Sequence, residues 1–489
     1  MTTFCLRPDV KQPDNCEAAS GIVSFLVLLL LSFTVMPACG GGGASLPVPE
    51  PPMPHPPGSI AVLVNLGGFA SVPDQIVSFA VTIESVALRS SAGDVELLHE
   101  GTFRRFELAR QSLRLEPLAF REVAQGDYSA IVIAISNPRI SFVDVGGVLH
   151  ENVAASLVSP TQTINLPFSI SSTPVFFNLT LSRDAVSFGG GDVVSVTPRF
   201  TSFGPAQVQN GVGIVNGLVG RVTRVGTKSL GIAVGNDLPC CFSGEVETFT
   251  FATDSNTEFQ GLTGIDTLAE GMTIDANATL YADGTLRANK VELENNLAGA
   301  TMFEGVSVVV APAQLRMLVR DVHGPYIELN SLPVVGEQVT VNANASTQFR
   351  IESENVDLTN LDFSPMFDVD SVAPGQNVRV AAPGASGTIA AEQVKLEEQS
   401  LEGVAGTLRS GSVPGQVSFP LNFRAASAVA KMSGSNSVIV VVQPSTWLDT
   451  GDVFAPCISC VSGKAVRVRG LLFYSGRQYR LIASEVSTN

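Results

Sequence analysis

"GMTIDANATLYADGTLRANKVEL", residues 271–293, reads as two strands joined by a tight turn. Met272, Ile274, Ala276, Ala278 and Leu280 alternate with Thr273, Asp275, Asn277 and Thr279, so one set can be buried while the other stays wet. Asp283-Gly284 between the two alternating runs is a hairpin signal, because glycine reaches the positive φ that such turns require. A half-buried hairpin cannot stand alone in water, so more strands must cover its apolar face.

The same order returns twice downstream, in "PGQNVRVAAPGASGTIAAEQVKL" (374–396) and "SGKAVRVRGLLFYSGRQYRLIASEV" (462–486). A glycine opens a strand at Gly271, Gly375 and Gly463, and a second marks the turn at Gly284, Gly387 and Gly476. An alanine then stands three residues before a valine: Ala288 and Val291, Ala391 and Val394, Ala483 and Val486. Upstream lie "TEF", "TQF" and "STW", which align Trp447 with Phe259 and Phe349 and predict a core role for the indole. Each unit opens on a glycine-bearing strand: "GLVGRVTRV", "FEGVSVVV" or "LEGVAGTL". Closing five or six such strands into a barrel removes the edges that invite aggregation. Three consecutive barrels are therefore expected, over 217–297, 302–398 and 401–487. They resemble an oligonucleotide/oligosaccharide-binding (OB) fold, and the G-x-V, T-x-F and DGT-x-x-A-x-x-V pattern resembles an uncharacterised bacterial repeat family.

Before the barrels, "SIAVLVNL", "QIVSFAVTIESVALRS", "DYSAIVIAI", "TINLPFSI", "VFFNLTL" and "VVSVTPRF" are further short strands separated by turn residues. They predict an antiparallel β-sandwich over 58–203, followed by a polar linker at 204–216, with only "LEPLAFREVA" (115–124) suited to a short helix. Sandwich and barrels are expected to unfold separately. The segment resembles an uncharacterised domain found directly after bacterial lipoprotein signals, a resemblance that rests on "VSFAVTIESVAL", "QGDYSAIVIAI" and "FFNLTLSRD". It implies a fold and no catalytic residue. The fold class expected for the whole chain is all-β.

At the N-terminus, the apolar run 22–36 fits an export signal, since a spanning helix needs about 20 apolar residues and a signal core roughly 7–15. "VMPAC" resembles a bacterial lipobox, with Met36 where leucine is usual, and implies a signal peptide over 1–38 and a lipid on Cys39. Residues 39–57, rich in glycine and then proline, read as an extended tether. The expected place is the cell envelope, anchored at the outer membrane on its periplasmic or external side.

Export directs the remaining cysteines toward disulfides. Cys457 and Cys460 are expected to pair within a turn. Cys240 and Cys241 are neighbours too close for an easy mutual bond and are left as free thiols or partners of a cross-link between the first and third barrels.

The 489-residue chain carries 29 Lys and Arg against 45 Asp and Glu, a formal charge of −16, and no basic run, which argues against nucleic acid as a partner. His55, His99, His150 and His323 occur singly, outside any hydrolase or metalloprotease motif. Asp362, Asp368 and Asp370 lack the spacing of a calcium loop. No catalytic residue, metal or cofactor is expected. The reading is a lipid-anchored, non-enzymatic binding or scaffolding protein whose partner is an envelope protein or a glycan. A carbohydrate-binding or adhesion module is the alternative.

Overall fold

The computed structural model describes residues 58–99, 104–109, 115–189, 193–207, 213–234, 247–294, 300–311, 314–323, 335–353, 355–383, 388–449 and 458–488. The chain is all-β: short strands fill nearly every described segment, and one α-helix, Ala428–Ser433, stands among them.

In the N-terminal part, a four-stranded sheet faces a six-stranded one. Ser59–Phe69 pairs with Glu116–Ala124 and Val175–Leu181, while Ile76–Ser90 pairs with Gly126–Val143 along most of its length. Val62, Val64 and Leu66 from the first sheet meet Phe79, Val81, Ile83, Ile131 and Ile133 from the second in one core. Two expectations are corrected here. "LEPLAFREVA" forms strand Glu116–Ala124 rather than a helix, because Leu118 and Ala119 fill the sandwich and pairing with Ser59–Phe69 satisfies the backbone. The sandwich is mixed rather than purely antiparallel, since Ser59–Phe69 and Val175–Leu181 run parallel.

Residues 204–216, expected as a linker, mostly belong to strands Phe200–Gln207 and Gly213–Val225. The second of these begins a closed circuit. Gly213–Val225 pairs with Ser229–Val234, that strand with Glu247–Ala252, and Glu247–Ala252 in parallel with Leu286–Leu293. Leu286–Leu293 then pairs with Thr273–Leu280, which returns to Gly213–Val225. The next unit repeats this circuit through Thr301–Ala311, Gln314–His323, Gln338–Asn342, Asn377–Ala382 and a fifth strand split into Thr388–Ala390 and Gln393–Leu396. The last unit runs it through Glu398–Ala405, Val417–Asn422, Ser437–Asp449, Ala465–Ser475 and Gln478–Thr488.

Two glycines per unit make the circuit possible. The first strand carries Gly220, Gly305 or Gly403, where a Cβ would collide with the backbone of the second strand. Two residues on, Val222, Ser307 or Ala405 exchanges a pair of backbone hydrogen bonds with the turn opened by Gly271, Gly375 or Gly463. Those three glycines hold φ of 91°, 91° and 78°, a region costly for other residues.

The units share their cores. Leu63 and Phe176, on the outer face of the four-stranded sheet, belong to the core of the first of these units. Asn65, fully buried, donates to Asn178 Oδ1 and to the Ile214 carbonyl, both at 3.0 Å. Leu471, Phe473 and Ile482 of the third unit complete the core of the second. Val77 and Val143 of the sandwich pack with Val306, Leu318 and Ala428 from the second and third units. The units do not have separate cores: apolar strand faces that would be wet on an isolated unit are buried between units.

Candidate functional site

One threonine per unit fixes the register that shapes the outer surface. Thr257, Thr347 and Thr446 are buried, and their hydroxyls donate to the carbonyls of Ala288, Ala391 and Ala483 at 2.8, 2.7 and 2.7 Å. Each hydroxyl also accepts from the amide three residues earlier: Asp254, Asn344 or Gln443. The residue two places after the threonine then faces the valine of the Ala-x-x-Val pair. Phe259 is opposite Val291, Phe349 opposite Val394, and Leu448 opposite Val486.

Leu448, not Trp447, is thus the counterpart of the two phenylalanines. The expected core role of Trp447 is corrected, because adjacent strand residues point to opposite faces and Trp447 is 69% exposed. Its counterparts in the other units are Glu258 and Gln348, both exposed. Across the outer sheet Trp447 is paired with Glu485 and Glu485 with Arg469, whose Nε donates to Glu398 at 2.7 Å. The adjoining row runs Asp449, Ser487, Arg467 and Glu402. The result is a polar β face carrying one indole, whose far side, at Arg467 and Glu402, runs into the contact with the sandwich at Ala70 and Ser71.

A second polar assembly lies where the sandwich meets the last two units. Asp74 takes Arg183 at 2.8 Å and Arg424 at 3.4 Å; Glu402 takes Arg467 at 3.1 Å and the Ser71 hydroxyl at 2.8 Å. Arg320 donates to the Val77 carbonyl at 2.7 Å and to Asn377 at 3.1 Å. Asp74, Val77, Arg320, Asn377, Glu402 and Arg467 help line a cavity of about 100 Å³. Asp74–Arg424, Ser71–Glu402 and Arg320–Val77 cross from the sandwich to the other units, so the arrangement fastens elements together.

Between the first and second units, Arg379 is buried against Glu294, Glu304 and Glu397, and Lys395 lies near Glu292, Glu294 and Glu352. Burial opposes charge on Glu294, but Arg379 and Lys395 outweigh it and hold the carboxyl below its ordinary range. Burial likewise opposes charge on Arg379, and the surrounding carboxylates reverse it, raising Arg379 and Lys395.

Of the sequence-derived residues, Cys39, Cys240, Cys241, Cys457 and Gly387 lie outside the described residues. Cys460, on the short 3-10 turn Ile458–Val461, is exposed and disulfide-bonded. Gly284 and Gly476 hold φ of 82° and 60°. His150 stacks on Phe142 beside Asp144, and His323 sits 2.9 Å from Asp321, so the two His–carboxylate pairs belong to different sheets. Asp368 accepts from the amides of Asp370 and Ser371, while Asp362 faces Arg480. Among the described residues no group of His, Cys, Asp and Glu is set to hold a metal.

The fold and surface thus define a class: an all-β protein built on repeated closed strand circuits, with its polar groups on outer faces and at junctions. Residues 219–292, within the first circuit, match the family described as a Domain of unknown function (DUF5666). No curated protein matches the chain. A solved structure described as drosophila Unr CSD456 is 11% identical and spans 55% of this chain and 96% of its own, with a TM-score of 0.12, too low to carry an argument.

Proposed function

We propose that the protein is lipid-anchored in the cell envelope through Cys39 and binds or scaffolds there without catalysis, its three C-terminal units being OB-like barrels. One observation carries this reading: the units share apolar cores and lock a buried charge between them, Arg379 of the second against Glu294 of the first, which makes the body a rigid presenter of surface. The bacterial lipobox resemblance supplies the anchor, the Gly/Pro-rich stretch 39–57 the spacer, and a Cys457–Cys460 bond would close the turn before the fourth strand of the last unit.

The test is metabolic labelling with a palmitate analogue. The chain is expected to carry the label, and Cys39→Ser to lose both label and membrane fraction; unchanged labelling of that variant would sink the anchor. The exposure of Trp447 favours the second reading, a carbohydrate-binding or adhesion module, over a purely structural one. Glycan-array binding of the mature chain separates the two.

A further inference from the structure

We propose that the outer sheet face of the third unit around Trp447 is a glycan-binding platform, with the indole stacking on the C–H face of a pyranose ring; this rests on the binding-module reading above. Tryptophan normally buries its large apolar surface, and here the Thr446 hydrogen bonds and the Leu448–Val486 pairing hold it outward. The fold itself does not require an aromatic at this position, since Glu258 and Gln348 occupy it in the sister units.

The neighbours select the ligand's chemistry. Across the strands from Trp447 lie Glu485 and Arg469, and Ser445 and Asp449 flank it on its own strand. Val404, on the first strand of this unit, is the other exposed large apolar residue of the unit among those described. Among the described residues, those flanking the indole on its own strand and facing it across the sheet, Ser445, Asp449 and Glu485, are polar, whereas a protein-binding hot spot sits in a well-packed, desolvated pocket. A sugar matches the arrangement better: one apolar ring face for the indole, and a rim of hydroxyls that can donate to Glu485 and accept from Arg469. Nucleobases would stack equally well on an indole, but their phosphates would meet carboxylates on a chain of net charge −16. Paired strands on both sides of Glu485 fix the platform before any ligand arrives, which lowers the entropy lost on binding.

Trp447 is the only tryptophan in the chain, so its emission reports on this place alone. The mature protein is titrated with cellotetraose, chitotetraose and a peptidoglycan-derived tetrasaccharide while emission and acrylamide quenching are followed. At least one sugar is expected to shift the emission to the blue and protect the indole from quenching. Trp447→Ala is expected to weaken binding of that sugar by about tenfold or more, measured by calorimetry, with Trp447→Phe recovering part of it. Both variants change an exposed side chain, and circular dichroism verifies the fold. Sugar binding on an array with unaltered Trp447 emission would overturn the platform and leave the glycan reading standing elsewhere on the molecule. Absence of binding to any glycan would overturn both and leave the anchored scaffold.

Discussion

At the scale of single residues, the threonine of each barrel does two jobs with one hydroxyl. In the second unit the buried Thr347 hydroxyl accepts from the Asn344 amide and donates to the carbonyl of buried Ala391. Thr347→Val keeps the shape and removes both bonds. It should destabilise the protein by about 1–3 kcal/mol, read from the midpoint of urea unfolding, with the slope unchanged. The T-x-F and Ala-x-x-Val motifs were legible in the text as separate marks, but nothing in it showed that the threonine binds the alanine's carbonyl. That missing link is why "STW" was aligned on its aromatic residue: resemblance between Trp and Phe outweighed a register that only the hydrogen bond reveals. Buried Arg379 was hidden for a related reason, since an arginine inside "NVRVAAP" reads as the wet face of a half-buried strand until a neighbouring barrel covers it.

At the scale of elements, hairpins and strand alternation were readable because period two and turn glycines are local. The second partner of a strand is not local, so the parallel pairing of Ser59–Phe69 with Val175–Leu181 and the strand at 116–124 escaped. Helix Ala428–Ser433 was missed although its signals are ordinary: Ser427 caps it by accepting from the Ala430 amide, and Gly434 ends it at φ 66°. At six residues it is too short to hold by propensity and depends on tertiary contacts. The Ala428 amide donates to the Asp74 carbonyl at 2.6 Å, Lys431 reaches the Val145 carbonyl, and Ala428 packs against Val77, Val306 and Leu318. Ala428→Asp puts an unpaired carboxylate into that packing. A loss of about 2–4 kcal/mol is expected, with new proteolytic cuts at residues 424–434 in a limited trypsin and chymotrypsin digest. An unchanged digest would show that the helix fastens nothing.

At the scale of the whole molecule, the shared cores and the buried charges determine how it responds to acid. Glu294 titrates below its unfolded value, so its contribution is fully present above about pH 4.3 and is lost as pH falls through the lower folded value. Lys395 is raised, so its contribution is present below about pH 10.4 and fades only in stronger base. Stability should therefore be level across neutral pH and fall on the acid side. Glu294→Gln should cost about 2–3 kcal/mol at neutral pH, a deficit that shrinks as the wild-type carboxylate protonates, followed by thermal melts from about pH 7 to pH 3. A deficit constant across that range would show that Glu294 acts by shape and not by charge.

The fastening of the last unit onto the first strands also sets a timetable for the chain's own making. Arg467 donates to the carbonyl of Ala70, a residue 397 positions earlier. At a synthesis rate of 5–20 residues per second, the acceptor emerges roughly 20–80 s before its donor exists. Val77 and Val143 wait a shorter time, since their apolar partners Val306, Leu318 and Ala428 all precede Arg467 in the chain. The N-terminal sheet is consequently made with an apolar face that stays uncovered until the second unit and the helix at 428–433 follow it.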